Sequence, residues 1–249
     1  MTEYNTKKTQ IDKSLLHMAA SQNDCEQIRH LVKNGSDINV LSQHNFTPLH
    51  DATWSNAVEA IQTLIGLGAN IYAKAHYGAT ALHIAAYKDN IEAIQTLLNA
   101  KMDINVKDEN GNTPLHDAVF KNNIKAMQCL LINGADIHAR NIYGNTPLHE
   151  AVLENNLEAL QILIDKGANI NAQSEFGHTP LHNAVDKNNL EIIKVLVKAG
   201  ADITIKNSYE QTALQQSIKN KAIDCVQYLI SIEADCSQLN TEEIKQITK

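Results

Sequence analysis

The chain has 249 residues, of which 43% are apolar and 20% charged, a composition that buries a core and excludes an intrinsically disordered class. A formal charge of −7, with Lys7, Lys8 and Lys13 as the densest basic cluster, argues against broad binding to nucleic acid or anionic membrane, either of which wants a basic stripe. Only 4% of residues are aromatic, so the core must come from Leu, Ile, Val and Ala, which suits thin layers of helices.

The first thirteen residues, MTEYNTKKTQIDK, contain no apolar stretch of the kind a signal peptide needs, and no later run approaches the roughly 18 apolar residues of a membrane span. Then a phrase begins to repeat. Ser14 of SLLH is followed by Thr47, Thr80, Thr113, Thr146, Thr179 and Thr212, each 33 residues after the last, giving seven repeats without an insertion. A fixed period of this size signals a solenoid, in which each repeat covers its apolar face only by stacking on its neighbours. The boundaries that follow are an N-terminal capping repeat over 1–37, five internal repeats over 38–202 and a C-terminal capping repeat over 203–236, all in one array spanning 1–249.

Within a repeat, the first helix starts at T-P-L-H. Thr113 is a good N-cap, and Pro114 suits the first helical position, where its missing N–H would have no intrahelical partner anyway. In the second repeat the helical step puts Leu49, Ala52 and Thr53 on an inward face and Asp51, Trp54 and Ser55 on the opposite one. The pairs Asn122-Asn123, Asn155-Asn156 and Asn188-Asn189 end this helix, because Asn tolerates the left-handed conformation. A second helix repeats apolar positions, as in Ile91, Ile94, Leu97 and Leu98, and stops at Gly35, Gly68, Gly134, Gly167 and Gly200. The rest, such as ADIHARNIYGN with Gly144 at a tight turn, reads as a hairpin-like loop.

Lys101 and Met102 stand where other repeats have Gly-Ala, so Lys101 is expected at positive φ, a cost of about 1 kcal/mol. Glu210 and Glu233 break the glycine pattern in the last repeat, as terminal caps often do. Beyond it, LNTEEIKQITK offers Asn240 as N-cap, Glu243 three later and a Leu239, Ile244, Ile247 stripe, the signature of a short helix over 237–249.

T-P-L-H-x-A on a 33-residue period, followed by two helices and a G-A-D-I-N loop, resembles the ankyrin repeat over roughly 12–235. The resemblance implies an all-α fold: a curved, L-shaped ankyrin-repeat solenoid with hairpin-like loops projecting from one edge, used for binding other proteins. It implies no reaction.

The phrase ENGNTPLHDAV sets His116 beside Asp117, a combination found in hydrolytic and metal sites. However, His17, His50, His83, His116, His149 and His182 recur at one equivalent position. Stacked helices lie about 8–10 Å apart, whereas ligands sharing a zinc ion sit about 2 Å from it, so neighbours in this ladder cannot share a metal. Consecutive helical residues also point about 100° apart, so His116 and Asp117 form no dyad. Each imidazole is instead expected to hydrogen-bond loop backbone near its repeat. There is no phosphate-binding G-x-x-x-x-G-K-[ST], no G-x-S-x-G and no H-E-x-x-H; no catalytic residue, metal site or cofactor is expected, and the chain reads as a non-enzyme.

Function then belongs to positions the repeat leaves free. Seven residues after each Thr or Ser stand Ser21, Trp54, Tyr87, Phe120, Leu153, Asp186 and Lys219; three before each Thr stand His44, Tyr77, Asn110, Tyr143, Phe176 and Tyr209, with Phe46 beside the first. Eight of the eleven aromatics fall in these rows, and large aromatics outside a core are enriched in binding hot spots. The Trp54, Tyr87, Phe120, Leu153 row either meets a partner or floors the groove between repeats; the loop row either meets a partner or packs on the next loop. Asp51, Asp117 and Glu150 lie next to the first row, with Lys88, Lys121 and Lys187 expected at its rim. The leading expectation is an adaptor or inhibitor whose concave groove takes a protein segment with apolar anchors and some basic character. The alternative is a groove for a small ligand or oligonucleotide. The four cysteines show no C-x-x-C pairing, which fits a reducing, cytoplasmic compartment and a monomer. The Asn-, Ile- and Lys-rich composition is that of an AT-rich genome, and arrays of this resemblance include proteins that intracellular bacteria deliver into host cells.

Overall fold

The computed structural model describes residues 14–42 and 44–232. The chain forms two compact units, the first closing at Asp136 and the second opening at Ile137. In the first unit a helix over residues 14–21 (α1) is followed by α2 (Cys25–Lys33), α3 (Pro48–Trp54), α4 (Val58–Gly66), α5 (Ala81–Tyr87), α6 (Ile91–Asn99), α7 (Pro114–Phe120) and α8 (Ile124–Ile132). The second unit holds α9 (Pro147–Leu153), α10 (Leu157–Asp165), α11 (Pro180–Asp186), α12 (Leu190–Lys198), α13 (Ala213–Lys219) and α14 (Ile223–Ser231). There is no strand among the described residues. The short helix expected over 237–249 and the departure at Glu233 lie outside the described residues.

Each first helix from α3 onward is seven residues long and each second helix nine, because both ends are set by local chemistry. Thr47, Thr113, Thr146 and Thr179 hold extended N-cap positions with proline next. The stop is a left-handed residue: Asn56, Asn122, Asn155 and Asn188 at φ +51° to +56°, with Asp89 at φ +57° taking the same place. The second helices stop at Gly35, Gly68, Gly134, Gly167 and Gly200, all at φ +85° to +93°.

In the first unit α3, α5 and α7 pack in succession on one layer, and α2, α4, α6 and α8 on the other; in the second, α9, α11 and α13 do the same. The core between the layers is Leu49, Ala52, Ile61, Leu64, Leu82, Ile94, Leu97, Leu115, Met127 and Leu130 in the first unit, and Leu148, Leu160, Leu163, Leu181, Ile193, Leu196 and Leu229 in the second. The aliphatic core expected from the scarcity of aromatics is present. Free Cys129 and Cys225 are buried within it as small hydrophobes, and Cys25 is half-buried.

Neighbouring repeats are also tied by side chains that reach one repeat along. Asn23 Oδ1 accepts the Ala60 N–H at 2.8 Å and Asp89 Oδ1 that of Ala126 at 2.8 Å. In the loops, Asn39 Oδ1 accepts from Asn70 N–H, Asn105 from Asp136 and Asn171 from Asp202, at 2.8–2.9 Å. The loop tips are linked through backbone: the Tyr77 carbonyl accepts from Glu109 N–H, Tyr143 from Glu175 and Phe176 from Ser208. Gly144 shows why a glycine follows: a Cβ there would lie 2.6 Å from the Glu175 nitrogen.

Candidate partner-binding surface

The histidines of the repeated T-P-L-H hold the starts of the first helices. Nδ1 of His50, His83, His116, His149 and His182 accepts the N–H of its own Thr47, Thr80, Thr113, Thr146 and Thr179 at 3.0–3.3 Å, closing a capping box. On the other side of the ring, Nε2 of His83, His149 and His182 donates to the carbonyls of Asn112, His178 and Gln211 at 3.0 Å, in the loop of the next repeat. Each of these rings joins a helix start to a neighbouring loop. Burial pushes His50 and His149 down to about 4 and lowers His83 and His182 as well, so the rings stay neutral. Nδ1 of His116 is taken up in the capping box of its own Thr113.

His17 departs from the ladder. Its Nδ1 meets Asp51 Oδ2 on α3 at 2.5 Å. Ser14 stands where the other repeats have threonine, and the neighbouring helix offers a carboxylate in its place.

Trp54, Tyr87 and Phe120 end α3, α5 and α7 with 45%, 38% and 45% of their surface exposed. They stand in one row of the first unit, whereas Leu153, the equivalent residue in the second, is half-buried. Lys88 and Lys121 do not rim the row; they lie on it. Lys88 Nζ sits 4.3 Å from the centre of the Trp54 ring. Lys121 Nζ sits 4.6 Å from that of Tyr87 and 5.3 Å from that of Phe120. Each lysine is the C-cap residue directly after one ring, at negative φ, and its side chain reaches the ring of the preceding repeat. Phe46 extends the row into the loop, half-buried, with its ring 6.3 Å from Trp54 and 5.6 Å from His50.

The acids beside the row are committed inside the fold. Asp51 is taken by His17, and Asp117 is half-buried and engaged within the chain. Glu150, with its pKa raised by burial, accepts from the side-chain amides of Asn141 and Asn145 at 3.2 and 3.4 Å. In the loop row, Tyr77, Tyr143, Phe176 and Tyr209 are 56–65% exposed and His44 is exposed too; Tyr77, Tyr143 and Phe176 meet the next loop through their carbonyls, and the Tyr209 ring lies 6.4 Å from that of His178.

No group of three or more His, Cys, Asp or Glu among the described residues is placed to hold a metal ion, and no described helix is long and apolar enough to cross a membrane. A feature the sequence did not reveal is Tyr72, whose hydroxyl donates to the Lys101 carbonyl at 3.4 Å and accepts the Asp103 N–H at 3.2 Å. The hint of it in the sequence is a tyrosine in Y-A-K where the other loops have Asn39, Asn105, His138, Asn171 and Thr204.

The family profile of ankyrin repeats matches in three copies, over residues 2–75, 67–141 and 148–240. This chain is an ankyrin repeat protein. Among solved structures it is similar to the ankyrin repeat domain of Bcl-3, described as a unique member of the IkappaB protein family, at 32% identity and a TM-score of 0.76, over 86% of this chain and 97% of that one. It is similar also to the human ASB11 ankyrin repeat domain, at 25% identity and a TM-score of 0.68, over 81% and 90% of the two chains. No curated protein matches. Ankyrin repeat domains are protein–protein interaction modules, and these neighbours are non-enzymatic interaction domains.

Proposed function

We propose that this ankyrin repeat protein is an adaptor or inhibitor that holds a protein partner on the face of its first unit carrying Trp54, Tyr87 and Phe120. The observation that carries this reading is the exposure of three large aromatics at one equivalent position in three successive repeats. A chain with so few aromatics would ordinarily bury them, and well-spaced aromatic anchors dominate binding energy in protein interfaces. Phe46 extends the anchor row, and Lys88 and Lys121 complete it. His44 and Tyr77 belong to the proposed contact surface as exposed loop-tip residues of the first unit, and Tyr143 and Phe176 are the exposed loop-tip rings of the second. Asp51 and Asp117 serve it indirectly, through their contacts within the chain. The half-buried and buried free thiols suit a reducing compartment.

The test is affinity capture from cell lysate with the full chain beside a Trp54→Ala, Tyr87→Ala, Phe120→Ala variant, circular dichroism confirming that both fold. A partner kept by the wild type and lost by the variant is the expected result. With that partner in hand, Trp54→Ala or Phe120→Ala alone weakens binding by about 2 kcal/mol. A partner held equally by both proteins moves the site off this row.

A further inference from the structure

We infer that the segment held on the Trp54, Tyr87 and Phe120 row is acidic: a stretch of a partner protein in which carboxylates alternate with apolar anchors. The inference rests on the proposed site and adds its chemistry. Sequence alone sets three acids beside the row and points to a basic segment; the structure reverses the sign. Asp51 is bound by His17 and Asp117 is engaged within the chain, so neither presents a free carboxylate. The outward charges on the row are the exposed ammonium groups of Lys88 and Lys121, and neither is in an ion pair with a described carboxylate.

The seating of these lysines excludes the opposite partner more firmly. Each ring of the row already has an ammonium over it, at 4.3, 4.6 and 5.3 Å. A lysine, arginine or methylated lysine from a partner would meet the chain's own cation at each ring, against like-charge repulsion. The lysine heads over the rings favour an oxygen anion, and so does the positive edge of the aromatic quadrupole. The net charge of −7 is spread over the whole chain, and at physiological ionic strength charges beyond about 8 Å are largely screened, so the groups at the row itself set its preference. Successive helices lie about 8–10 Å apart, a spacing that an extended segment covers in about three residues at 3.3 Å each. A carboxylate between two apolar anchors then falls beside a lysine. A nucleic acid would also bring anions and stacking bases, but two ammoniums on an acidic chain supply few of the phosphate contacts that such binding requires.

The experiment is a random-peptide display selection on the full chain, counter-selected against the Trp54→Ala, Tyr87→Ala, Phe120→Ala variant so that only row-dependent peptides are kept. Asp and Glu are expected to be enriched between Leu, Ile, Met or aromatic residues. A selected peptide should bind a Lys88→Gln, Lys121→Gln variant at least tenfold more weakly and a Lys88→Glu, Lys121→Glu variant more weakly still. Row-dependent peptides rich in Lys and Arg, or indifferent to both lysine variants, overturn the acidic partner while leaving the proposed site standing. If no row-dependent peptide emerges, the site falls as well. Row-dependent binding of a fluorescent oligo-dT that is tighter than that of any selected peptide overturns the inference in favour of nucleic acid.

Discussion

His50 and His149 show how a residue that looks catalytic on paper becomes structural once its ring is enclosed. Their pKa of about 4 in the fold lies below the 6.5 of an ordinary histidine, with desolvation as the leading cause. Between these two values the unfolded chain binds more protons than the folded one. Their contribution to stability is therefore complete above about pH 6.5 and is lost as the pH falls toward 4. At pH 5 the loss comes to about 2 kcal/mol for each of the two rings. His83 and His182, lowered for the same reason, add to it. Urea unfolding at pH 7 and pH 5 should show a marked fall in midpoint; an unchanged midpoint would contradict neutral, enclosed rings. The repeated T-P-L-H made the position legible, and the period alone ruled out a shared metal. The exception at His17 was not legible, since its partner Asp51 lies 34 residues away and meets it only when two helices stack.

At the scale of the element, the irregular stop of α6 gives a second measurement. Lys101 sits at φ +66° where α2, α4, α8, α10 and α12 are followed by glycine, as the sequence predicts. Lys101→Gly should stabilise the protein by about 1 kcal/mol, read as a higher melting temperature; a lower one would mean that the lysine earns its place by another contact. The brace across this turn came only with the structure. Removing the Tyr72 hydroxyl with Tyr72→Phe strips a donor from the Lys101 carbonyl and an acceptor from the Asp103 N–H, and should cost about 1 kcal/mol, measured by chemical denaturation. The loop turns behave differently again. At Gly144, alanine would suffer both a φ of +70° and a Cβ 2.6 Å from backbone, so Gly144→Ala should destabilise by more than the same change at Gly167, which has open space around it. Equal melting temperatures for the two variants would mean that the loop-to-loop contact of Gly144 yields readily.

For the whole molecule we propose a monomer in solution, the like-charged lysines over Trp54, Tyr87 and Phe120 opposing the pairing of two such rows. Light scattering should then give a mass near 27.5 kDa, and twice that value would point to self-association through the aromatic row. By itself the sequence determined the period, the helix starts and stops, the left-handed positions and the candidate aromatics. All of these depend on residues within a few positions of one another, or on their recurrence every 33. Only the tertiary structure decided which charges on the candidate surface are free. Lys88 reaches the ring of Trp54, Asp51 answers His17 and Glu150 turns to Asn141 through the stacking of helices and the folding back of loops. Charge at a surface is set by what each group finds across the gap, and no local pattern in the chain records that.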